Sequence, residues 1–335
     1  MFDFSADSSV SSDIQAAVEA AVESWANLRF QAVYRTVHGL LNIWKAYEFL
    51  VKNVYFPDKA GDQEFVTAQV AKKLQLVPAY QNFGKIAADD LRREDIEAMQ
   101  SLYKCFDVVY LDEKKNVLQV VKGAYSAPAE HGIHPQYKPM NQNNFGTWLT
   151  NDKVLLFDAN CDMRFEDALK LPNLLMEFNQ DKLLKGINLP EYIFTEDFNW
   201  IGQAHGFGDR TWTTFVQRFL AMYGADGFYG HGAVFDRDVI QEFGVLSPDY
   251  VSEDLMMTMK IWLKGKGYRI EHKEYLQCGK AREVSVPASA IPFNKFAEGS
   301  AELFVGRQLK RLFASQEVAW YQKMFLFFTL GFYLR

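Results

Sequence analysis

Apolar residues recur three and four positions apart at Ile14, Ala17, Val18, Ala21, Val22 and Trp25, then at Val33, Val37, Leu40, Leu41 and Trp44. That spacing predicts helix over residues 12–50, with the Ser/Asp cluster ahead of it as the start signal. Pro57 and Gly61 mark residues 56–62 as a loop. Strand-like runs follow at residues 74–80, 108–111, 117–121 and 154–157, and a charged helix over 91–103 separates the first two. Residues 125–146, with three prolines and two histidines, read as a long loop. Beyond residue 157 the pattern gives helices over 165–179, 213–223 and 252–264 and a strand over 268–274. Strands alternating with helices predict an α/β fold, a mixed and mostly parallel sheet flanked by helices. Residues 324–334 form an apolar, aromatic run about half the ~20 residues of a spanning helix. It suits a core helix, an interfacial helix, or the start of a membrane segment.

Composition narrows the function classes. A net charge of −6 argues against a nucleic-acid binder, which carries a basic face. Cys105, Cys161 and Cys278 are odd in number and widely spaced, so neither a disulfide framework nor a zinc pattern is present. The N-terminus is acidic and Ser-rich and lacks the basic start and apolar run of a signal peptide. Glu130, His131 and His134 have no further ligand nearby in sequence to complete a zinc site, and GxSxG, GxxxxGK[ST] and HExxH are absent.

Candidate chemistry begins where the run Val154 to Phe157 ends, at Asp158 and Asp162. Ligands of open α/β sheets bind at the carboxyl ends of strands, and two carboxylates there can hold a hard divalent cation on a diphosphate. Alternatively, Asp158 ends the strand and Asp162 caps the helix beginning near Phe165. Ser252, Glu253 and Asp254 precede an apolar helical stripe. They read either as a cap with two acids at the positive helix end or as the site of a general base. Lys280 and Arg282, after Gly279, are either a solvated basic turn or cations placed to neutralise a diphosphate leaving group. Arg307, Lys310 and Arg311 share one helical stripe, suited to solvent, phosphate or anionic lipid. The glycines around His231 let backbone approach a ligand closely.

In order along the chain, these segments resemble the catalytic region of β-1,3-glucan synthases, the callose synthases and fungal glucan synthases of glycosyltransferase family 48. Trp25 to Gly39 is similar to that family's WASLRxQTLYRTxxG, Tyr110 to Glu113 to YLDE, and Asp158 to Asp162 to DANQD. Glu166 to Lys170 stands for EExLK, Tyr229 to His231 with Phe235 to Arg237 for YGHPDxFDR, and Ser252 to Asp254 for SED. Glu274 to Glu283 stands for EYxQxGKGRD, and residues 299–307 for GxGEQxLSR.

The resemblance implies a GT-A-like catalytic domain over residues 25–320, after an acidic helix start over 1–24 and before an apolar interfacial or truncated transmembrane segment over 321–335. It implies a membrane-associated enzyme on the cytosolic face of the plasma membrane. That enzyme would transfer glucose from UDP-glucose, with inversion, to the 3-hydroxyl of a growing β-1,3-glucan. On this reading Asp158 and Asp162 hold Mg²⁺ (or Mn²⁺), with Asp158 also by the nucleotide, and Glu253 or Asp254 is the base. Lys280, Arg282, Arg307, Tyr34, Arg35 and His231 would bind substrate. Cys161, Ala281 and Leu303 replace a glutamine, a glycine and a glutamine of the family motifs, and nothing before Trp25 resembles its TPYYxE segment. Leu303 and the missing segment before Trp25 favour an alternative, a catalytically inactive glucan-synthase-like fragment or subunit. A cellulose- or chitin-type processive synthase is the other alternative; such enzymes carry a QxxRW motif that this chain lacks.

Overall fold

The computed structural model describes residues 37–77, 109–112, 117–120, 125–128, 149, 151–158, 161–195, 198–243, 251–264, 267–282 and 285–332. Residues 37–50 form helix α1, as the spacing predicts, and run on through a π-helical turn at Val51–Tyr55. Helix α2, Gln63–Ala71, starts where the Asp62 carboxylate accepts from the Phe65 N–H. Of the strand expected at 74–80, the described part shows a single bridge at Leu76. The helix expected over 91–103 lies outside the described residues. Strands β1 (Val109–Asp112), β2 (Val117–Val120) and β3 (Tyr125–Pro128) make an antiparallel meander. The start of the expected loop over 125–146 is therefore strand, because Tyr125 and its neighbours pair with β2.

The central sheet has the order β4-β8-β6-β9, built from Lys153–Leu156, Ala233–Asp236, Leu184–Asn188 and Arg269–His272. β8 is antiparallel to both β4 and β6, while β6 and β9 are parallel. This corrects the mostly parallel expectation and leaves a mixed sheet. The chain re-enters from the carboxyl edge of β6 through a turn with Gly230 and Gly232 at φ 88° and 60°, so β8 inserts in the opposite sense. In consequence, β4, β6 and β9 all end at the edge where β8 begins.

Alternation along the strands splits the core in two. Phe235, Ala233 and Ile270, with Val154 and Leu156, face helices α7 (Arg237–Phe243), α8 (Glu253–Leu263) and, later in the chain, α10 (Arg307–Ala314) and α11 (Trp320–Phe332). Val234, Ile187 and Leu155 face α1, α2, α3 (Phe165–Ala168) and α4 (Leu171–Gln180). Gly186 has to be glycine here, since a β-carbon would lie 2.6 Å from the Phe235 ring beside it. A second, small sheet, order β5-β10-β7 (Cys161–Asp162, Cys278–Lys280, Glu191–Ile193), stands at the carboxyl edge of the large one.

A helical arm follows β7. It comprises α5 (Trp200–Arg210), a π-helical segment at Thr211–Val216, and α6 (Gln217–Met222). The Asn199 side chain caps its start by accepting from the N–H groups of Ile201 and Gly202. Helix α9, Val286–Val305, leads to α10 and α11. In α11, Leu326 and Leu330 are core residues while Trp320 and Phe328 are exposed, and no helix among the described residues is long and apolar enough to cross a membrane.

Candidate functional site

The small sheet sorts the predicted residues onto two faces. Lys280 pairs with Cys161 and Gly279 with Asp162 on one side, and Cys278 pairs with Glu191 and Gly279 with Tyr192 on the other. Directly opposed residues share a face. Cys161, Cys278, Lys280 and Glu191 therefore project one way, Asp162, Gly279 and Tyr192 the other.

On the first face lies a four-membered polar cluster. The Lys280 ammonium contacts Nε2 of His231, the same nitrogen contacts Oε1 of Glu191, and Lys280 Nζ stands 3.7 Å from Glu191 Oε2. Nδ1 of His231 is 3.7 Å from Oδ2 of Asp158, just past the end of β4. Burial opposes the charge on Glu191, but His231 and Lys280, with Arg282 beyond, outweigh it and hold the carboxyl below its ordinary range. Burial pushes the thiols of Cys161 and Cys278 upward, so they are inert neighbours rather than nucleophiles. Glu191 was not anticipated. Pro190 follows the end of β6, and its carbonyl accepts from the Cys278 N–H at 3.0 Å, which sets Glu191 beside β10.

The opposite face holds Asp162. Its Oδ1 accepts from the Met163 N–H at 2.7 Å and lies 3.5 Å from Nδ1 of His38. Helix α1 reaches this point because residue 39 is glycine: a β-carbon there would be 2.8 Å from both Asp162 Oδ1 and Met163 N. The Asn42 amide donates to the Met163 carbonyl at 2.9 Å and fastens the contact. Tyr192, with the Arg164 guanidinium 4.0 Å above its ring, is pushed up to about 12 by burial and then by Asp162. Asp162 does not cap the following helix, whose N-cap is Arg164.

Asp158 and Asp162 therefore do not face a common point, and no group of three or more His, Cys, Asp or Glu among the described residues is placed to hold a metal ion. The two acids do not fit the shared Mg²⁺ or Mn²⁺ expected of them.

The start of α8 joins the first face through glycine. Asp254 directs Oδ2 at Gly230, where a β-carbon would lie 3.2 Å away, and Gly230 precedes His231. Thr258 ties the two segments, accepting from the Phe228 N–H at 2.8 Å and donating to the Asp254 carbonyl at 3.2 Å. Glu253 is buried with Oε2 3.8 Å from Lys295 Nζ of α9, so the two candidate bases look in different directions. Ser252 makes no cap hydrogen bond; it packs against Gly299 instead. Glu302 accepts from the Val251 N–H at 2.8 Å, while Leu303 is buried in the helix-side core.

Arg282 has a protein partner. Its Nε and Nη2 donate to the two oxygens of Asp209 at 2.6 and 2.8 Å, and its backbone exchanges hydrogen bonds with the Thr195 hydroxyl. Arg307 is exposed at the start of α10 and shares no hydrogen bond or ion pair with the cluster among the described residues. Lys310 and Arg311 are exposed beside it, opposite the buried Leu309 and Leu312. Tyr34 and Arg35 lie outside the described residues.

Beneath the Gly230 turn, Asp226 is fully buried. Its oxygens accept from the Asn188 amide at 2.8 Å and the Gly227 N–H at 3.0 Å, and Tyr229 hydrogen-bonds to it. Burial nevertheless pushes this carboxyl up to about 8.

Known proteins bear on this arrangement. Over 335 residues the chain is 25% identical to a 1,3-beta-glucan synthase component of Cordyceps militaris, covering 85% of this chain and 17% of that one. It is 28% identical over 350 residues to callose synthase 9 of Arabidopsis thaliana, covering 92% and 18%. The chain thus spans less than a fifth of the length of these curated relatives. A mannosyltransferase from Pyrobaculum calidifontis, solved with GDP-Man and Mn²⁺, superposes with a TM-score of 0.47 at 13% identity over 94% of this chain and 83% of that one. The family model described as 1,3-beta-glucan synthase component matches residues 128–335, a stretch that carries Asp158, Glu191, His231, Asp254 and Lys280, and the chain belongs to that family.

Proposed function

We propose that the chain supplies a GT-A-like glucan synthase catalytic region, transferring glucose from UDP-glucose to the 3-hydroxyl of a β-1,3-glucan. Membership of the family supports the substrate class. The observation that carries the assignment to this site is that Asp158, His231, Lys280 and Glu191 form one largely buried cluster whose edge, at Gly230, lies beside the Asp254 carboxylate.

In a single displacement, the acceptor oxygen bonds to the glucose C1 as the C1–oxygen bond to UDP breaks, which inverts the configuration. Asp254 takes the hydroxyl proton as that bond forms. Lys280, held by Glu191, and His231 face the charge that develops on the departing diphosphate. Glu253, turned to Lys295, supports α8 rather than the reaction. The enzyme works, on this reading, at the cytosolic face of the plasma membrane.

Radiolabelled UDP-glucose incubated with the purified chain and a β-1,3-glucan primer tests the proposal. The expected product is labelled polymer that a β-1,3-specific glucanase digests, with Asp254→Asn reducing its formation about 100-fold or more. Saturable UDP-glucose binding without turnover would favour the second reading, a binding subunit. That reading draws support from Arg282, whose guanidinium is taken by Asp209, and from Leu303, which has entered the core.

A further inference from the structure

The helical arm over residues 200–222 touches the site around its π-helical segment, Thr211–Val216, through Asp209 and Trp212. Asp209, just before that segment, holds Arg282, two residues from Lys280. Trp212, the segment's second residue, meets Tyr229 edge to face, with ring centroids 5.7 Å apart at 90°. Tyr229 is anchored from below by Asp226 and directly precedes Gly230, the residue against which Asp254 closes. π-Helical turns cluster at functional sites, because the extra residue re-aims side chains and frees a backbone group. The Thr213 hydroxyl satisfies one such group by donating to the Asp209 carbonyl at 2.8 Å. Trp212, Tyr229, His231 and Asp254 are all half-buried, so each keeps part of its surface accessible. Trp212 belongs to none of the family-like motifs, and the transfer chemistry above leaves it unused.

We propose that Trp212, backed by Tyr229, is a stacking platform for the terminal glucose of the acceptor and presents that sugar's hydroxyl to Asp254. The inference rests on the proposed transfer reaction and assigns its acceptor subsite. A β-linked glucose carries its hydroxyls around the ring edge and leaves two C–H faces apolar. An indole offers a matching flat surface at small conformational cost, and the ring edge stays available for hydrogen bonds. The fixed edge-to-face contact with Tyr229 and the Asp209–Arg282 pair hold the indole in place before the sugar arrives.

The test compares the full chain with Trp212→Ala and Trp212→Phe, using a short β-1,3-linked gluco-oligosaccharide as acceptor and UDP-glucose as donor. In W212A the acceptor KM is expected to rise about tenfold while the UDP-glucose KM moves less than about threefold, and W212F recovers most of the loss. Equal movement of both constants, or of neither, overturns the platform. Calorimetric titration of the oligosaccharide without donor reads the same contact apart from turnover, with an expected loss of about tenfold in affinity for W212A. A wild-type chain that binds the oligosaccharide but releases no UDP sinks the transfer reading and leaves the platform standing. Binding that ignores position 212 does the reverse.

Discussion

The carboxylate of Asp254 fills the place beside Gly230 where a side chain would stand, with Oδ2 3.2 Å from the position a β-carbon would take at residue 230. Gly230 also sits at φ 88°, a conformation that L side chains rarely adopt. Gly230→Ala is therefore expected to cost about 1–2 kcal/mol from backbone strain, read as a lowered midpoint in urea unfolding. Transfer activity should fall further than that loss of stability explains, because the methyl displaces the Asp254 carboxylate, the proposed base. An alanine variant with normal melting and normal turnover would show that this turn does not locate the base.

Arg282 and Asp209 form the two-pronged contact between the small sheet and the helical arm, both side chains mostly buried. Removing one partner leaves the other poorly solvated and unpaired. Asp209→Ala should lower stability by about 1–3 kcal/mol, and Arg282→Lys should recover little, since an ammonium cannot reproduce the planar fork. Thermal melts of D209A, R282K and the double variant check this. Additive losses would mean that the pair contributes nothing as a pair.

Two buried groups set opposite limbs of the stability profile. Burial, reinforced by Arg218, lowers His272 to about 4, so its contribution is complete above its unfolded pKa near 6.5 and is lost as the pH falls toward 4. Asp226, raised by burial to about 8, contributes fully below its unfolded pKa near 3.8 and loses that contribution as the pH rises through 8. Between pH 4 and 6.5 the two slopes oppose each other. From about pH 6.5 to 8 only the Asp226 slope remains, and stability should decline over that window by an amount on the order of 1 kcal/mol per pH unit. Asp226→Asn keeps the size and the acceptor oxygen but cannot ionise. Denaturant midpoints measured across that window should fall for the wild type and stay level for D226N.

Much of the site could be read from the chain because its chemistry sits where hydrophobic runs stop. Val154 to Leu156 alternates between the two cores, and Asp158 follows where the strand must end. The apolar stripe behind Asp254 puts it at a helix start, and α8 begins there. What failed was direction. Spacing alone puts Asp158 and Asp162 on one turn, but Asp162 belongs to a strand paired with Gly279, and strand alternation sends it to the far face. The sense of β8 was hidden for a related reason, since it depends on a turn held by Gly230 and Gly232 rather than on any periodicity. Glu191 and Asp209 escaped notice because each acquires its role from a cation distant in sequence, Lys280 and Arg282 respectively.

Glu191 and Lys280 offer the clearest measure of how the cluster is held together. Both are nearly inaccessible, and each stands against His231 as well as the other. Glu191→Gln would leave a buried ammonium without its nearest counter-charge, and Lys280→Met would leave a buried carboxylate with His231 and the more distant Arg282. Each single change should cost about 3 kcal/mol, within the range found when one member of a buried ion pair is removed. The double variant E191Q/K280M removes both charges together and should lose less than the sum, by about 1–2 kcal/mol of coupling. Chemical denaturation of the four proteins at neutral pH measures this. K280M and the double variant E191Q/K280M should also lose glucose transfer, the double variant even though its stability partly returns, because stability needs the charges balanced while the proposed role of Lys280 needs the cation itself. A double variant that regained transfer along with stability would assign Lys280 to the fold alone.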